Sequence, residues 1–536
     1  MVNYAQHFNL RATPQSEKIH GSSQVPNSAG GYSFAIDDWQ RLDRWLLLGA
    51  DGGSYYASEK KLTRENAEAV MRCLATDGLR TVGRIVEISH EGRAPKNNPA
   101  LFALAMCAGL GNGETKSYAL SQLPRVARTG TMLFGFATYI QAFRGWGRGL
   151  RHGIGNWYLS QKPEDLAFQA VKYRQRDGWT HRDLLRLSHP KTPTPLEERF
   201  GWPVRKVLQW ICKGEAEGID EIPIIAGFRK VQEASSEKEV AAIVREYHLP
   251  LEAIPPEKMG PKVWEAALPF LGMTALLRNL GNLSKNGILV EGAWDVITQV
   301  AGRLTDEEQL KKGRIHPLSV LAALMTYQSG HGVRGSGAWE PVSDIRDALS
   351  ESFYKAFKAV DPTGKRIVLA LDVSGSMGMG ALSGIPGITP RVGSAAMAMV
   401  TYKTEKQVVL VAFSHTMIPV DISRCQRLDD VCHTVSQIPM GATNCALPML
   451  WALENKVQAD AFVIYSDSES WIGEIHASQA LRMYRERTGI PARAIAVGMV
   501  ANEYTVFDPQ DAGSLNVVGF DTAAPQIMSE FIAGRI

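Results

Sequence analysis

The chain lacks the features that mark secreted and membrane proteins. It has no apolar signal core near the amino terminus and no apolar run long enough to cross a bilayer. Its six cysteines are scattered without a CxxC pair, which indicates reduced thiols rather than a disulfide framework or a zinc site. The sequence therefore predicts a cytoplasmic protein with no membrane partner.

The chain also has little net charge of either sign. Its formal charge is +3 and its isoelectric point is near 8.4, a balance too mild to indicate a nucleic-acid partner by itself. Any basic surface must therefore be local. Hydrophobic residues make up 45% and charged residues 21%, which is typical of globular proteins, and 536 residues are too many for one ordinary domain.

Strand patterns are almost absent from the first two thirds of the chain. Over residues 32–360 short helical patterns follow one another with polar joints between them. This succession favours an all-α repeat domain, an α-solenoid of irregular helix pairs. The preceding residues, 1–31, are polar and predict a flexible amino-terminal tail. The candidate helix caps are Asp37 or Asp38, Thr63, Asn98 followed by Pro99, and Thr129.

The sequence pattern changes near Asp361. Short apolar segments such as RIVLAL, QVVLVAF and DAFVIY now alternate with helical stretches. This alternation is typical of an α/β domain with a doubly wound parallel sheet, which we expect over residues 361–536. Ligands of such sheets bind at the carboxyl ends of the strands, where Asp372 and Asp467 are predicted to lie.

Five polar residues of this second domain form a candidate metal site. Asp372, Ser374 and Ser376 follow a predicted strand in LDVSGSM, Thr443 lies in GATN, and Asp467 lies in VIYSDSES. Short oxygen side chains at neighbouring strand ends can converge, and this ligand type suits a hard divalent cation such as Mg²⁺. The alternative is that Asp372 and the serines form only a turn and a helix N-cap.

Positive charge is concentrated in residues 144–191. Ten basic and four acidic residues give this segment a net charge of +6, more than the whole chain carries. Lys172 and Arg176 are four apart and are predicted to share a helix face. Arg182 and Arg186 do the same on the next helix, with His189 one turn further on. Two basic helices predict a phosphate-binding surface, and the alternative is a solvated charged face. The aromatic residues that would either stack on bases or pack in the core are Trp146, Trp157, Tyr158, Tyr173 and Trp179.

Taken together, these segments resemble the Ro autoantigen family, ring-shaped RNA-binding proteins that join a TROVE module to a von Willebrand factor A domain. The most specific strings are GGSYYASEKKLTRENAEAV, KYRQRDGWTHRDLLRLSH, TALLRNLGN, and RIHPL with the following GHGVRG. The resemblance covers about residues 31–536. It implies a monomeric ring of HEAT-like repeats with a basic central hole, followed by a domain with a metal-ion-dependent adhesion site.

The resemblance also implies partners and roles. A Y-class noncoding RNA would bind the outer surface, and single-stranded 3′ ends of misfolded or unprocessed RNAs would thread the hole, in RNA quality control, processing or decay. Bacterial members are associated with an exoribonuclease. Family members use a Lys, an Arg and a His for RNA binding, which fall here on Lys172, Arg176 and His189. Charge placement alone adds Arg148, Arg151, Arg182 and Arg186.

Three functional hypotheses follow from these patterns. The first is a non-catalytic RNA-binding scaffold. The second is a metal-dependent protein-interaction module, because adhesion sites of the resembled type usually bind a carboxylate of a partner, whose identity the sequence does not reveal. The third is a nuclease that uses the cation. It is the weakest, because two-metal nucleases need clustered carboxylates and only Glu469 supplements the two aspartates.

Overall fold

The computed structural model describes residues 12–51, 53–191, 204–332, 337–357 and 360–536. In these ranges the chain forms a helical module, from Asp38 to Lys355, and a sheet domain, from residue 360 onward. None of the helices in these ranges is both long and apolar enough to cross a membrane.

The helical module is a series of mostly short helices, each packed on its neighbours. Helix α1 packs on α2, α4 packs on both α5 and α7, and α13 packs on α12 and α14. Their apolar stripes meet in one continuous core. The helices are α1 (Asp38–Leu48), α2 (Glu59–Thr76), α3 (Gly78–Glu91), α4 (Asn98–Leu110), α5 (Gly113–Ser121), α6 (Leu123–Val126), α7 (Gly130–Ile140), α8 (Arg148–Leu159), α9 (Pro163–Lys172), α10 (His181–Ser188), α11 (Val204–Lys213), α12 (Pro223–Glu233), α13 (Glu237–Tyr247), α14 (Pro261–Ala267), α15 (Met273–Lys285), α16 (Trp294–Leu304), α17 (Glu307–Lys312), α18 (Pro317–Gln328) and α19 (Ser343–Lys355).

Side-chain caps explain where several helices begin. Asp37 caps α1 and Thr129 caps α7, as predicted, because each side chain accepts a hydrogen bond from a backbone N–H of the first turn. The prediction that Thr63 caps the second helix is wrong. Ser58 accepts the capping hydrogen bond from Lys61 N at 3.3 Å, so α2 begins five residues earlier than predicted.

Residues near the end of the helical series contact residues near its beginning. Arg314, after α17, donates from Nε to the carbonyl of His90 in α3 at 3.0 Å. The side chain of His316 contacts the carbonyls of Arg93 (3.0 Å) and Phe520 (2.9 Å), and Phe520 belongs to the sheet domain. The first and last parts of the helical module therefore meet at a seam that the sheet domain covers.

The sheet domain is built on a six-stranded sheet in the order β11-β9-β8-β5-β6-β7. Neighbouring strands are parallel except for β7, which runs antiparallel to β6 at one edge. The strands of the chain are β1 (Val25–Pro26), β2 (Tyr32–Ala35), β3 (Gln175–Arg176), β4 (Trp179–Thr180), β5 (Ile367–Asp372), β6 (Val408–Phe413), β7 (Met417–Pro419), β8 (Ala461–Ser466), β9 (Arg493–Gly498), β10 (Tyr504–Thr505) and β11 (Ser514–Val518). The helices are α20 (Pro390–Thr404), α21 (Leu428–Ser436), α22 (Leu447–Glu454), α23 (Ala477–Thr488) and α24 (Ala524–Ala533).

Helices cover both faces of this sheet. Alternate residues of β5 point to opposite sides, so Leu369 packs in the core that contains Met397 of α20. Ala370 packs in a second core with Met449 of α22 and Leu481 of α23. The predicted doubly wound α/β architecture is confirmed, and its central strand is fully buried.

The N-terminal segment, residues 12–36, lies against the sheet domain. Gln15 donates to the side-chain oxygen of Asn444 at 2.7 Å, and Asn27 donates to the carbonyl of Ser470 at 2.8 Å. Strand β2 pairs with β1 on one side and with β10 on the other.

The predicted flexible tail is therefore wrong over residues 12–31. Polar side chains in this segment are buried because they hydrogen-bond to loops of the sheet domain, so low hydrophobicity does not make them loose. The rest of the predicted tail, residues 1–11, lies outside the described residues.

Candidate functional site

The candidate metal ligands lie where two neighbouring strands end. Asp372 is the last residue of β5, and Asp467 follows the last residue of β8. These two strands are adjacent in the sheet. The chain order reverses at β5, because β6 lies on one side of it and β8 on the other. Such a switch point opens a crevice at the carboxyl edge, which is where ligands of doubly wound sheets bind.

Short hydrogen bonds orient the ligands that follow β5. The Ser374 N–H donates to Asp372 Oδ1 at 2.9 Å, which forms the predicted turn, and the hydroxyls of Ser374 and Ser376 are 3.2 Å apart. Ser466, at the end of β8, donates its hydroxyl to Asp372 Oδ2 at 2.6 Å. The structure therefore contains both the turn and the convergence of oxygen atoms that the sequence analysis gave as alternatives.

Thr443 reaches the site on a third loop, between α21 and α22. The Gly375 N–H donates to the carbonyl of Gly441 at 3.0 Å, which ties this loop to the one after β5. The carbonyl of Thr443 accepts from the Ser470 hydroxyl at 3.2 Å, which ties it to the loop after β8. All five predicted ligands are at most 5% exposed.

The ionised forms of the two carboxyl groups in this site, Asp372 and Asp467, are energetically unfavourable. Burial, and then the charge of Asp467, raise the pKa of Asp372 to about 7. Burial also raises the pKa of Asp467. Within the described ranges no lysine or arginine lies within ion-pair distance of either carboxylate or of Glu469. Bound positive charge would offset this repulsion.

The donor set fits a hard cation. The described residues contain no group of three histidine, cysteine or acidic side chains that could hold a metal ion, so a cation here would rely on hydroxyl oxygens as well. Two buried carboxylates with two adjacent serine hydroxyls and a threonine are ligands that Mg²⁺ accepts.

Two further residues lie near the metal ligands: Glu469, which the sequence analysis named only as a supplementary carboxylate, and Tyr56, which it missed. Glu469 is buried, and burial, followed by the charge of Asp467, raises its pKa to about 8. Its carboxylate accepts from Ser28 N at 2.9 Å and from Asn502 Nδ2 at 3.2 Å. Tyr56 of the helical module is near enough that the charges of Asp467 and Glu469, after burial, raise its pKa. Only the position of Glu469 near the ligands could be predicted from the local sequence, because it lies two residues after Asp467 on the same loop.

The first basic pair is arranged differently from the prediction. Helix α9 ends at Lys172, and Arg176 lies on strand β3, so the two residues do not share a helix face. The chain instead turns at Asp177 and Gly178, both with positive φ, and returns along β4. Asp-Gly favours this tight hairpin turn, so the break in the helix is visible in the sequence.

The second basic helix matches its prediction closely. Thr180 and Asp183 form the predicted capping box at the start of α10. Arg182 and Arg186 are both exposed and lie four residues apart on α10, so they share one face of the helix. His189 ends the helix as an exposed C-cap in the left-handed conformation.

The remaining basic and aromatic candidates divide between surface and core. Arg148 and Arg151 are exposed at the start of α8, which packs on α10. Trp157 and Tyr158 are buried in the core, whereas Trp146 and Trp179 are partly exposed with ring centroids 5.8 Å apart. Tyr173 is partly buried.

Most of these basic side chains have no acidic partner in the structure. Within the described ranges, the only ion pair of the predicted set is a long contact of 3.8 Å between Arg176 and the neighbouring Asp177. Guanidinium and ammonium groups without acidic partners are free to bind phosphates. The predicted RNA-binding residues that form no ion pair there are Arg148, Arg151, Lys172, Arg182, Arg186 and His189.

Two family models match the two parts of the chain. The model described as the TROVE domain matches residues 25–329, which begin in the N-terminal segment and include most of the helical module. The model described as the Ro60 vWA domain matches residues 366–532, which contain all five candidate metal ligands.

Curated relatives match the chain over almost its full length. It is 40% identical to RNA-binding protein RO60 of Deinococcus radiodurans, over 100% of both chains. It is 34% identical to RNA-binding protein RO60 of Caenorhabditis elegans, over 98% of this chain and 92% of that one. The crystal structure of the Deinococcus radiodurans RO (RSR) protein matches with a TM-score of 0.69, covering 93% of this chain and 100% of that one. The chain belongs to the Ro family of proteins, which combine a TROVE domain with a Ro60 vWA domain.

Proposed function

We propose that this protein is a non-catalytic RNA-binding scaffold. The observation that carries the proposal is the set of basic residues on α8, α9, β3 and α10, which are exposed except for the partly buried Lys172 and most of which have no acidic partner among the described residues. Phosphate contacts from such residues supply affinity without reading sequence. The family membership supports the same function, because two full-length relatives are named RNA-binding proteins.

The proposal assigns two RNA classes to two places. A Y-class noncoding RNA binds the outer basic surface, and single-stranded 3′ ends of misfolded or unprocessed RNAs enter a central hole of the helical module. The return of the helical series to its own beginning, at the contact between Arg314 and His90, supports a closed ring. The partly exposed pair Trp146 and Trp179 offers aromatic faces on which unpaired bases can stack. An exoribonuclease would act on the RNA that this scaffold holds.

The test is RNA binding by gel shift at two salt concentrations. The probe is a structured RNA with a single-stranded 3′ tail, and the same RNA without the tail reports the contribution of the unpaired end. We expect tight binding by the wild type, with a slope of log affinity against log salt of about −0.7 per neutralised phosphate. The variant Lys172→Ala/Arg176→Ala should bind more weakly, with a smaller slope, because two phosphate contacts are removed.

A matched control removes two exposed positive charges elsewhere. Lys365→Ala/Lys456→Ala changes the net charge of the chain equally, at the amino-terminal end of the sheet. We expect this variant to bind RNA like the wild type. Equal weakening by both double variants would attribute the effect to net charge, and salt-independent binding by the wild type would contradict the proposal.

We also propose that Asp372, Ser374, Ser376, Thr443 and Asp467 hold a divalent cation such as Mg²⁺. One observation favours a second function, metal-dependent protein interaction, at this edge of the domain. Four of the exposed large hydrophobic side chains lie in the loops that carry these ligands, and apolar surface of this kind is typical of protein-binding sites. They are Met379, Met440, Trp471 and Ile472.

This second function predicts separable variants. Trp471→Ala should abolish capture of a protein partner by the full-length chain while its affinity for RNA is unchanged. A partner that is retained by this variant and by Asp372→Ala would count against the metal edge as its binding surface.

A further inference from the structure

Two arginines meet at the seam between the first and last parts of the helical module. Arg128, between α6 and α7, donates from Nη1 to the carbonyl of Ser89 at 2.9 Å and to the hydroxyl of the same residue, also at 2.9 Å. Arg314, after α17, donates from Nε to the carbonyl of His90 at 3.0 Å. Because Ser89 and His90 are consecutive residues of α3, the two guanidinium groups are neighbours at the carboxyl end of that helix.

These seam arginines, Arg128 and Arg314, have no counterion in the described part of the chain. No carboxylate there lies within ion-pair distance of either, and Glu87, one turn earlier on α3, binds Arg84 and Arg93 instead. Arg314 is exposed, whereas Arg128 is partly buried. Burial, and then the charge of Arg314, lower the pKa of Arg128 to about 10, as expected for like charges held close together. A bound anion would offset this repulsion.

The hydrogen bond to α3 uses only part of the Arg314 side chain. The backbone of Arg314 has a φ of 47°, a conformation that residues other than glycine rarely adopt. Its side chain packs across Gly92, where an added Cβ atom would lie 3.0 Å from the Arg314 Cβ atom. Of the five N–H donors of this guanidinium, only the one on Nε is hydrogen-bonded within the described ranges. The four donors on Nη1 and Nη2 are therefore available to a ligand with two acceptor oxygens.

We propose that the seam arginines form a binding site for a phosphate group that joins the first and last parts of the helical module. Each planar guanidinium matches two phosphate oxygens, and a phosphate dianion offsets the two positive charges. Because Arg128 follows the early helices and Arg314 the late ones, a phosphate bound to both stabilises their contact. The phosphate group is either free or part of an RNA backbone. The site shares no residue with the proposed RNA-binding surface, so the failure of one leaves the other standing.

The test is titration calorimetry of the full-length protein with inorganic phosphate, in a chloride buffer of constant ionic strength. Hydrogen exchange of the Arg93 and Ile315 amides, which form backbone hydrogen bonds on the two sides of the seam, reports on its opening. We expect the wild type to bind phosphate. At a hundred times the dissociation constant, phosphate should slow exchange at both amides by up to about a hundredfold. Arg314→Gln, which removes the charge, and Arg128→Lys, which removes the planar fork, should each weaken phosphate binding by about tenfold or more.

The matched control is Lys456→Gln. Lys456 is also an exposed basic residue with a positive φ, 55°, but it lies in the sheet domain. This variant should bind phosphate and show protection like the wild type. If the wild type binds no phosphate, or if the control weakens binding as much as Arg314→Gln does, the site is refuted and the arginines serve only the carbonyls of α3. If only one of the two seam variants weakens binding, the phosphate does not join the two parts of the module.

A second titration identifies the source of the phosphate group. Inorganic phosphate is added to the wild type in the presence of a saturating single-stranded oligoribonucleotide. Loss of phosphate binding under these conditions assigns the site to a phosphate of the RNA backbone. Unchanged binding assigns it to free phosphate, and both results keep the site.

Discussion

Replacing Asp372 by asparagine should stabilise the metal-free protein at pH 8. Burial and the charge of Asp467 disfavour the ionised carboxylate, as the pKa of about 7 shows. Asparagine has nearly the same shape, keeps an oxygen for the Ser374 N–H and carries no charge. The same change removes a ligand from the proposed cation site, so it should abolish stabilisation by Mg²⁺.

The magnitude follows from the two opposing contributions. The pKa of Asp372 rises from 3.8 to about 7, and at 1.36 kcal/mol per unit the ionised form costs about 4 kcal/mol above pH 7. The asparagine amide cannot accept the hydrogen bond from Ser466, which costs about 1 kcal/mol. The removal of charge therefore wins, and we expect a net gain of about 3 kcal/mol at pH 8.

The pH dependence of this gain has a definite sign. Because the pKa of Asp372 is higher in the folded than in the unfolded protein, the folded state holds more protons between about pH 4 and pH 7. The wild type without metal should therefore lose stability as the pH rises through this window. At pH 5 its carboxyl is mostly protonated, so the advantage of Asp372→Asn should nearly disappear.

Hydrogen exchange of the core amides of β5 and β8 measures the opening free energy of the sheet in chelator. Adding Mg²⁺ at a hundred times its dissociation constant should stabilise the wild type by about 2.7 kcal/mol and leave Asp372→Asn unchanged. Asp429→Asn is a control for which we expect the opposite effect on stability. Burial alone would raise the pKa of Asp429, but Arg346 and Arg427 hold it below its ordinary value, so this variant should be destabilised. The reasoning is refuted if Asp372→Asn is less stable than the wild type in chelator at pH 8.

Two further predictions concern the seam where the sheet domain meets the helical module. Arg93→Ala should destabilise the protein by about 3–5 kcal/mol, because it leaves Asp521 buried without the guanidinium that now binds it at 2.6 and 3.0 Å. A double-mutant cycle with Asp521→Ala, read by urea unfolding, should show strong coupling, and additive effects would contradict the ion pair. His316 should make the seam sensitive to acid, since burial lowers its pKa to about 4 and its neutral Nδ1 accepts from Leu318 N at 3.1 Å. Stability should fall by about 3 kcal/mol as the pH drops from 6.5 to 4, and His316→Gln should remove this pH dependence.

The sequence was sufficient for the parts of the structure that depend on local patterns. The buried run Ile367–Asp372 and the strand before Asp467 predict neighbouring parallel strands, and the polar residues after them then meet at one edge. The capping box of Thr180 and Asp183 is equally local. In each case the residues that decide the structure lie within a few positions of one another.

The errors have two physical sources. The prediction for Lys172 and Arg176 extended a helical period across Asp177 and Gly178, whose turn chemistry ends the helix. The prediction of a loose tail failed for another reason. The hydrogen-bond partners of the Gln15 side chain lie more than 400 residues away, so the low hydrophobicity near the amino terminus gives no information about them.

The docking of the N-terminal segment has a consequence for how the protein is made. The backbone N–H of Thr13 donates to the side chain of Gln479, 466 residues later in the chain. At roughly 5–20 residues per second, a ribosome needs about 25–90 s to make the intervening chain. This segment is therefore made long before its partners in the sheet domain, and such long-range closure is a slow folding step. Its strand β2, which pairs with β10, stays an open edge during that time, and a chaperone that binds extended segments would shield it.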